Sequence, residues 1–75
     1  MDLQKNFSER LIALRQSSQV SLQTLGDIVG VSNQAVSLWE KGKNLPSVTV
    51  LVSLAAYFGV TTDYLLGLSD DRRNA

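Results

Sequence analysis

Apolar residues recur at Phe7, Leu11 and Leu14, the i, i+4, i+7 spacing of one helix face, with Arg10 and Arg15 beside them. This pattern predicts an amphipathic helix of about three turns that closes at Ser17-Ser18-Gln19. Ser21 caps a second, shorter helix through Leu22, Leu25, Ile28 and Val29, stopped by Gly30. Ser32 caps a third, which runs to a terminating Gly42. Its Ala35, Val36 and Trp39 form a narrow inward stripe, while Asn33, Gln34, Ser37 and Lys41 point away. After the loop Lys43-Asn44-Leu45-Pro46, Ser47 opens a helix to Phe58 that is apolar nearly all round, which predicts a place in the middle of the domain. Gly59 ends it. Thr61 or Thr62 caps a short fifth helix through Asp63-Tyr64-Leu65-Leu66, closed by Gly67. A strand over Val48-Thr49-Val50-Leu51-Val52 is the one competing reading, and Leu51, Leu54, Ala55 and Phe58 reject it by keeping helical spacing. The fold class is therefore all-α, a compact five-helix bundle.

Composition narrows what such a bundle can do. The 75 residues make one domain, 1–68, followed by a polar, frayed tail, 69–75, that resembles the opening of a linker. A chain this size removes only about 60% of its unfolded surface from water, which leaves little room for a buried multi-step active site. The sequence has no cysteine and no histidine, so disulfides, thiolate nucleophiles, the usual zinc ligands and the usual near-neutral general base are all missing. Asp63 fits the first turn of a helix and Asp70 and Asp71 sit in the tail, so no catalytic carboxylate pair forms. The expectation is no enzyme, no metal, no cofactor and no small-molecule effector. The start has no apolar core of a secretory signal and no stretch approaches a membrane span, which predicts a cytoplasmic protein without a membrane partner.

Formal net charge is zero, but its distribution is uneven. Residues 5–47 carry a balance of +2 and residues 48–75 a balance of −1. The slight positive bias lies in the segment that holds the second and third helices, whose layout around Gly30-Val31-Ser32 is that of a helix-turn-helix, a first helix bracing a second that can enter the DNA major groove. That geometry needs a small residue where the helices touch, met by Gly26, and one that tolerates positive φ at the turn, met by Gly30. It also needs apolar anchors, met by Leu25, Val29, Val36 and Trp39.

Residues 6–67 resemble the Cro and phage-repressor type of helix-turn-helix domain, the XRE family, a five-helix fold of the lambda-repressor kind. The matching segments are Leu25 through Val31-Ser32, the run Val36-Ser37-Leu38-Trp39-Glu40-Lys41-Gly42, Pro46-Ser47, and Phe58-Gly59-Val60-Thr61-Thr62-Asp63-Tyr64-Leu65-Leu66-Gly67. The resemblance implies that Asn33, Gln34, Ser37 and Leu38 face base edges and that Ser32, Lys41 and Lys43 meet phosphates; Ser47 begins a second helix N-terminus suited to the same task. It also implies a structural ion pair between Arg15 and Glu40. Two positions depart from the family pattern. Leu22 stands where a polar, phosphate-touching residue is common, and Leu38 offers only an apolar contact for a thymine methyl.

The expected function is a sequence-specific transcription regulator, a repressor, binding double-stranded DNA as a homodimer on a pseudo-palindromic operator. Tyr57, Tyr64, Leu65 and Leu68 are the candidate dimer surface, because they exceed what one small core needs. The second reading is a helix-turn-helix used as a protein-interaction module, an antitoxin-like or adaptor subunit; neutral charge, Leu22 and Leu38 favour it.

Overall fold

The computed structural model describes residues 2–73 and contains five helices: α1 (Leu3–Ser17), α2 (Leu22–Val29), α3 (Asn33–Glu40), α4 (Val48–Phe58) and α5 (Thr62–Leu65). Met1 and the last two tail positions, Asn74 and Ala75, lie outside the described residues. No strand occurs among the described residues.

Each helix starts where a short polar side chain turns back on the backbone. The side-chain oxygens of Ser21, Ser32, Ser47 and Thr61 accept the N–H of Thr24, Ala35, Val50 and Tyr64, which satisfies a donor that the first turn otherwise leaves bare. The first helix differs from its expected extent. Asp2 accepts the Lys5 N–H at 3.0 Å, so α1 begins about one turn before Phe7 and brings Gln4 and Ser8 onto the molecule's own surface contacts. It closes through Gln19, the one non-glycine residue with a left-handed backbone (φ 58°) among those described, as the Val20 N–H donates to the Arg15 carbonyl.

The core draws on all five helices. Phe7, Leu11 and Leu14 of α1 meet Leu25, Val36, Trp39, Leu54, Ala55, Val60 and Leu65, and Trp39 stands edge-on to Phe7 at 6.2 Å between ring centres. The central strut is α1, not α4. That corrects the expectation drawn from the apolar character of α4: only Leu54 and Ala55 of this helix are buried, while Val48 is 77% and Val52 53% exposed. A helix of eleven residues cannot be surrounded by four others when three of those have eight residues or fewer.

The tail is partly held. Arg10 donates from Nη2 to Asp70 at 2.8 Å and from Nη1 to the Ser69 carbonyl at 3.4 Å, and its guanidinium lies 4.0 Å over the Tyr64 ring. Arg72 approaches the same ring at 5.4 Å. These contacts and the core divide the expected dimer surface. Leu65 is fully buried and cannot serve as an interface residue, Tyr64 is half-buried beneath Arg10, and Tyr57 and Leu68 remain exposed.

Candidate nucleic-acid interface

The junction of α2 and α3 is set by backbone contact. Gly26 packs so tightly that a Cβ there would lie 2.6 Å from the Val31 carbonyl oxygen, and the Val31 N–H donates to the Gly26 carbonyl at 2.8 Å. Gly30 turns the chain with φ 79°. Leu25 and Val36 fill the crevice behind this crossing and are fully buried.

With Val36 and Trp39 fixed inward, the rest of α3 follows from the helical repeat. At about 100° per residue, Asn33, Ser37, Gln34 and Leu38 occupy one outward arc of roughly 140°. Gln34 is exposed; Asn33 and Leu38 at the edges and Ser37 within the arc are half-buried. Gln34 therefore stands free to present one acceptor and a donor in a plane, the pattern that fits N7 and N6 of adenine. Asn33 is partly engaged, because its Nδ2 donates to Gln23 Oε1 at 3.2 Å, while Gln23 Nε2 donates to Asp27 at 3.0 Å. Gln23 thus braces the start of α3 from α2. Sequence reasoning passed over it, although its i, i+4 spacing to Asp27 was visible. Leu22, where the family pattern has a polar residue, packs against the core instead.

The expected phosphate contacts are distributed around this arc. Ser32 is exposed and its Oγ caps α3, so the N–H groups of Asn33 and Gln34 lie ahead of the first intrahelical bonds and form a positive helix end. Lys41 and Lys43 are exposed just past the other end of α3, and neither is in an ion pair with another of the described residues. Ser47 is exposed at the start of α4.

The far end of α3 is clamped to α1. Arg15 grips Glu40 with both prongs, Nε to Oε2 and Nη2 to Oε1 at 3.1 Å, and its Nη1 donates to the Val20 carbonyl at 2.9 Å. Both side chains are mostly buried. Hydrogen bonding to Glu40 raises the Arg15 pKa above its ordinary value, outweighing the opposing effect of burial. Ser8 Oγ donates to the Glu40 carbonyl, and Gln4 Nε2 to the Lys43 carbonyl at 3.4 Å. The sequence pattern indicates neither contact: Gln4 precedes the expected start of α1, and the Ser8 contact depends on where α3 packs against α1.

No group of three His, Cys, Asp or Glu side chains that could hold a metal occurs among the described residues, and no described helix is long and apolar enough to cross a membrane.

Residues 11–65 match the family model described as Helix-turn-helix. An uncharacterized HTH-type transcriptional regulator of Bacillus subtilis, YobD, is 31% identical over 65 residues, 87% of this chain and 58% of its own length. Repressor protein C2 of Salmonella phage P22 is 38% identical over 58 residues, 77% of this chain and 27% of the repressor. The chain thus spans little more than half the length of YobD and under a third of the repressor. Among solved structures, the P22 c2 repressor in complex with a synthetic operator superposes with a TM-score of 0.76 at 36% identity, covering 79% of this chain and 89% of that one.

Proposed function

Because this chain belongs to the Cro and phage-repressor type of helix-turn-helix family, we propose that it is a sequence-specific DNA-binding transcription regulator rather than an enzyme. It acts as a homodimer on a pseudo-palindromic operator, and by occupying that site it represses. The observation that carries the reading is the outward arc of α3: Gln34 exposed at its centre, held by Gln23 at one end and by the Arg15–Glu40 pair at the other. A rigid helix with unengaged amide groups is what base-edge readout requires. The operator complex of the P22 c2 repressor, whose fold this chain shares, supports DNA as the partner.

In this reading Gln34, Ser37 and the free part of Asn33 read bases, and Leu38 lies against a thymine methyl. Lys41, Lys43, Ser32 and Ser47 hold phosphates on either side. Selection from a random duplex pool, followed by titration at several salt concentrations, tests it. Gln34→Ala is expected to lose about 1–3 kcal/mol of discrimination between the selected site and random DNA. Lys43→Ala is expected to weaken both alike and to reduce the salt slope by about 0.9. Equal loss on both duplexes from Gln34→Ala would reject its base-reading role, and a pool without enriched sequences would reject the regulator.

A further inference from the structure

Asp27 is an acid in the last turn of α2, the end of a helix that disfavours negative charge, and it is in no ion pair with another of the described residues. Its charge does not serve the helix that carries it. What it does contact is Gln23 one turn earlier, whose Nε2 donates to Asp27 Oδ1 at 3.0 Å. A carboxylate offers acceptors only, so the Gln23 amide has one stable orientation here: turned over, its Oε1 would face the carboxylate with no hydrogen between them. With Nε2 so held, Gln23 Oε1 is left for α3, and Asn33 Nδ2 donates to it across the helix crossing at 3.2 Å. Three side chains thus form a line of hydrogen bonds with a single direction, from Asn33 through Gln23 to Asp27.

An unheld amide turns either end outward at little cost, and so meets donors and acceptors alike. Gln34, exposed beside Asn33, is in that condition. Asn33 is not. Its Nδ2 is turned to α2 and spends one of its two hydrogens there, while its Oδ1 accepts nothing from any described residue. Reversing the Asn33 amide would set its carbonyl oxygen against that of Gln23, and reversing both would set Gln23 against Asp27.

We propose that Gln23 and Asp27 are positioning residues that fix the polarity of the Asn33 amide, so that Asn33 offers a base its carbonyl oxygen and selects an amino-bearing partner, adenine or cytosine, on the strand it faces. In the major groove adenine N6 and cytosine N4 are donors, whereas guanine and thymine present acceptors alone. The proposal rests on the DNA-binding reading given above and adds to it which end of one amide does the reading. Gln23 and Asp27 are exposed, so water competes with each link in the free chain. A duplex laid against α3 displaces that water, and the links strengthen at the moment when an amide of the wrong polarity would be left unpaired.

One arm of the test needs no DNA. In NMR spectra of the full chain, the Asn33 side-chain amide is expected downfield of a free amide and to move upfield in Asp27→Ala, although that substitution lies two hydrogen bonds away. Adding Gln23→Glu is expected to bring it back, because a carboxylate at that position accepts from Asn33 without having to be oriented. The double variant keeps the wild-type net charge, so its general attraction to phosphates is unchanged. In the other arm, selection from a random duplex pool, the wild-type chain is expected to favour adenine or cytosine at one position by about fivefold, the worth of one net hydrogen bond. Asp27→Ala is expected to bring that preference below about twofold and leave the remaining positions as they were, and the double variant to recover it. A merely structural role would weaken every position together. An Asn33 amide indifferent to Asp27→Ala, a base preference that survives that substitution, or no recovery in the double variant would each overturn the proposal. A wild-type pool without enrichment would strike the DNA reading, while the Asn33 amide still decides whether its polarity is held.

Discussion

Helices α3 and α4 are built alike and face water differently. Each starts on a serine cap, each buries one side against α1 or its neighbours, and each leaves a broad outward arc. On α3 that arc is mainly amide and hydroxyl groups; on α4 it is mainly methyls. The Gln34 amide and the free part of Asn33 are satisfied by solvent until a ligand replaces every hydrogen bond in the right direction, so the arc is selective before it is strong. The methyls of α4 carry a standing cost of about 25 cal/mol for each Å² left wet. Any shape-matched apolar surface relieves it, so this arc gains from contact with few demands on direction. One small bundle thus leaves a direction-sensitive arc on one helix and an indifferent apolar arc on another.

The contrast can be broken most severely at the α2–α3 crossing. Gly26→Val is expected to cost at least about 3 kcal/mol in urea denaturation, since the new side chain drives into the Val31 carbonyl. Unaltered stability would mean that the crossing relaxes freely and that α3 is not rigidly held. Next in size is Glu40→Ala, which leaves the mostly buried Arg15 without its carboxylate. A loss of about 2 kcal/mol, or a melting temperature lower by roughly 8–16 °C for a domain of this length, is expected in calorimetry; an unchanged midpoint would show that the pair contributes nothing. The smallest effect belongs to α4. Val48→Ser should change the stability of the fold by no more than about 0.5 kcal/mol, because the side chain is already in water. A larger drop would place Val48 in the fold rather than on its surface.

Helices α2 to α5 were legible because each carries its start signal in the sequence: Ser21, Ser32, Ser47 and Thr61 sit directly before the periodic residues, and Gly30 and Gly59 directly after them. Asp2 is the same kind of signal for α1, but it precedes Leu3-Gln4-Lys5-Asn6, where a single apolar residue gives no periodicity to register. The place of α4 was misjudged for a different reason. Hydrophobicity on all sides indicates burial only when the rest of the chain is large enough to provide cover, and here it is not. The same shortfall explains Leu65, which a count of surplus apolar residues put on the surface although the fold needs it inside. The outward arc of α3 was readable from the inward stripe of Val36 and Trp39. Its bracing by Gln23 and Ser8 was not, because such contacts depend on where separate helices come to lie, and no local spacing encodes that.

Ser8 and Arg15 sit two turns apart on α1, and between them they hold the backbone and the side chain of Glu40. The last turn of α3 therefore loses its freedom to tilt when the chain folds, before any partner is met. Ordering entropy that a looser helix would surrender on docking, roughly 1–2 kcal/mol for each residue fixed, has already been spent. On the DNA-binding reading proposed above, a preorganised helix of this kind makes weak contacts sufficient, and it moves sensitivity to mutation away from the groove, onto a serine and an arginine that need never touch a nucleotide.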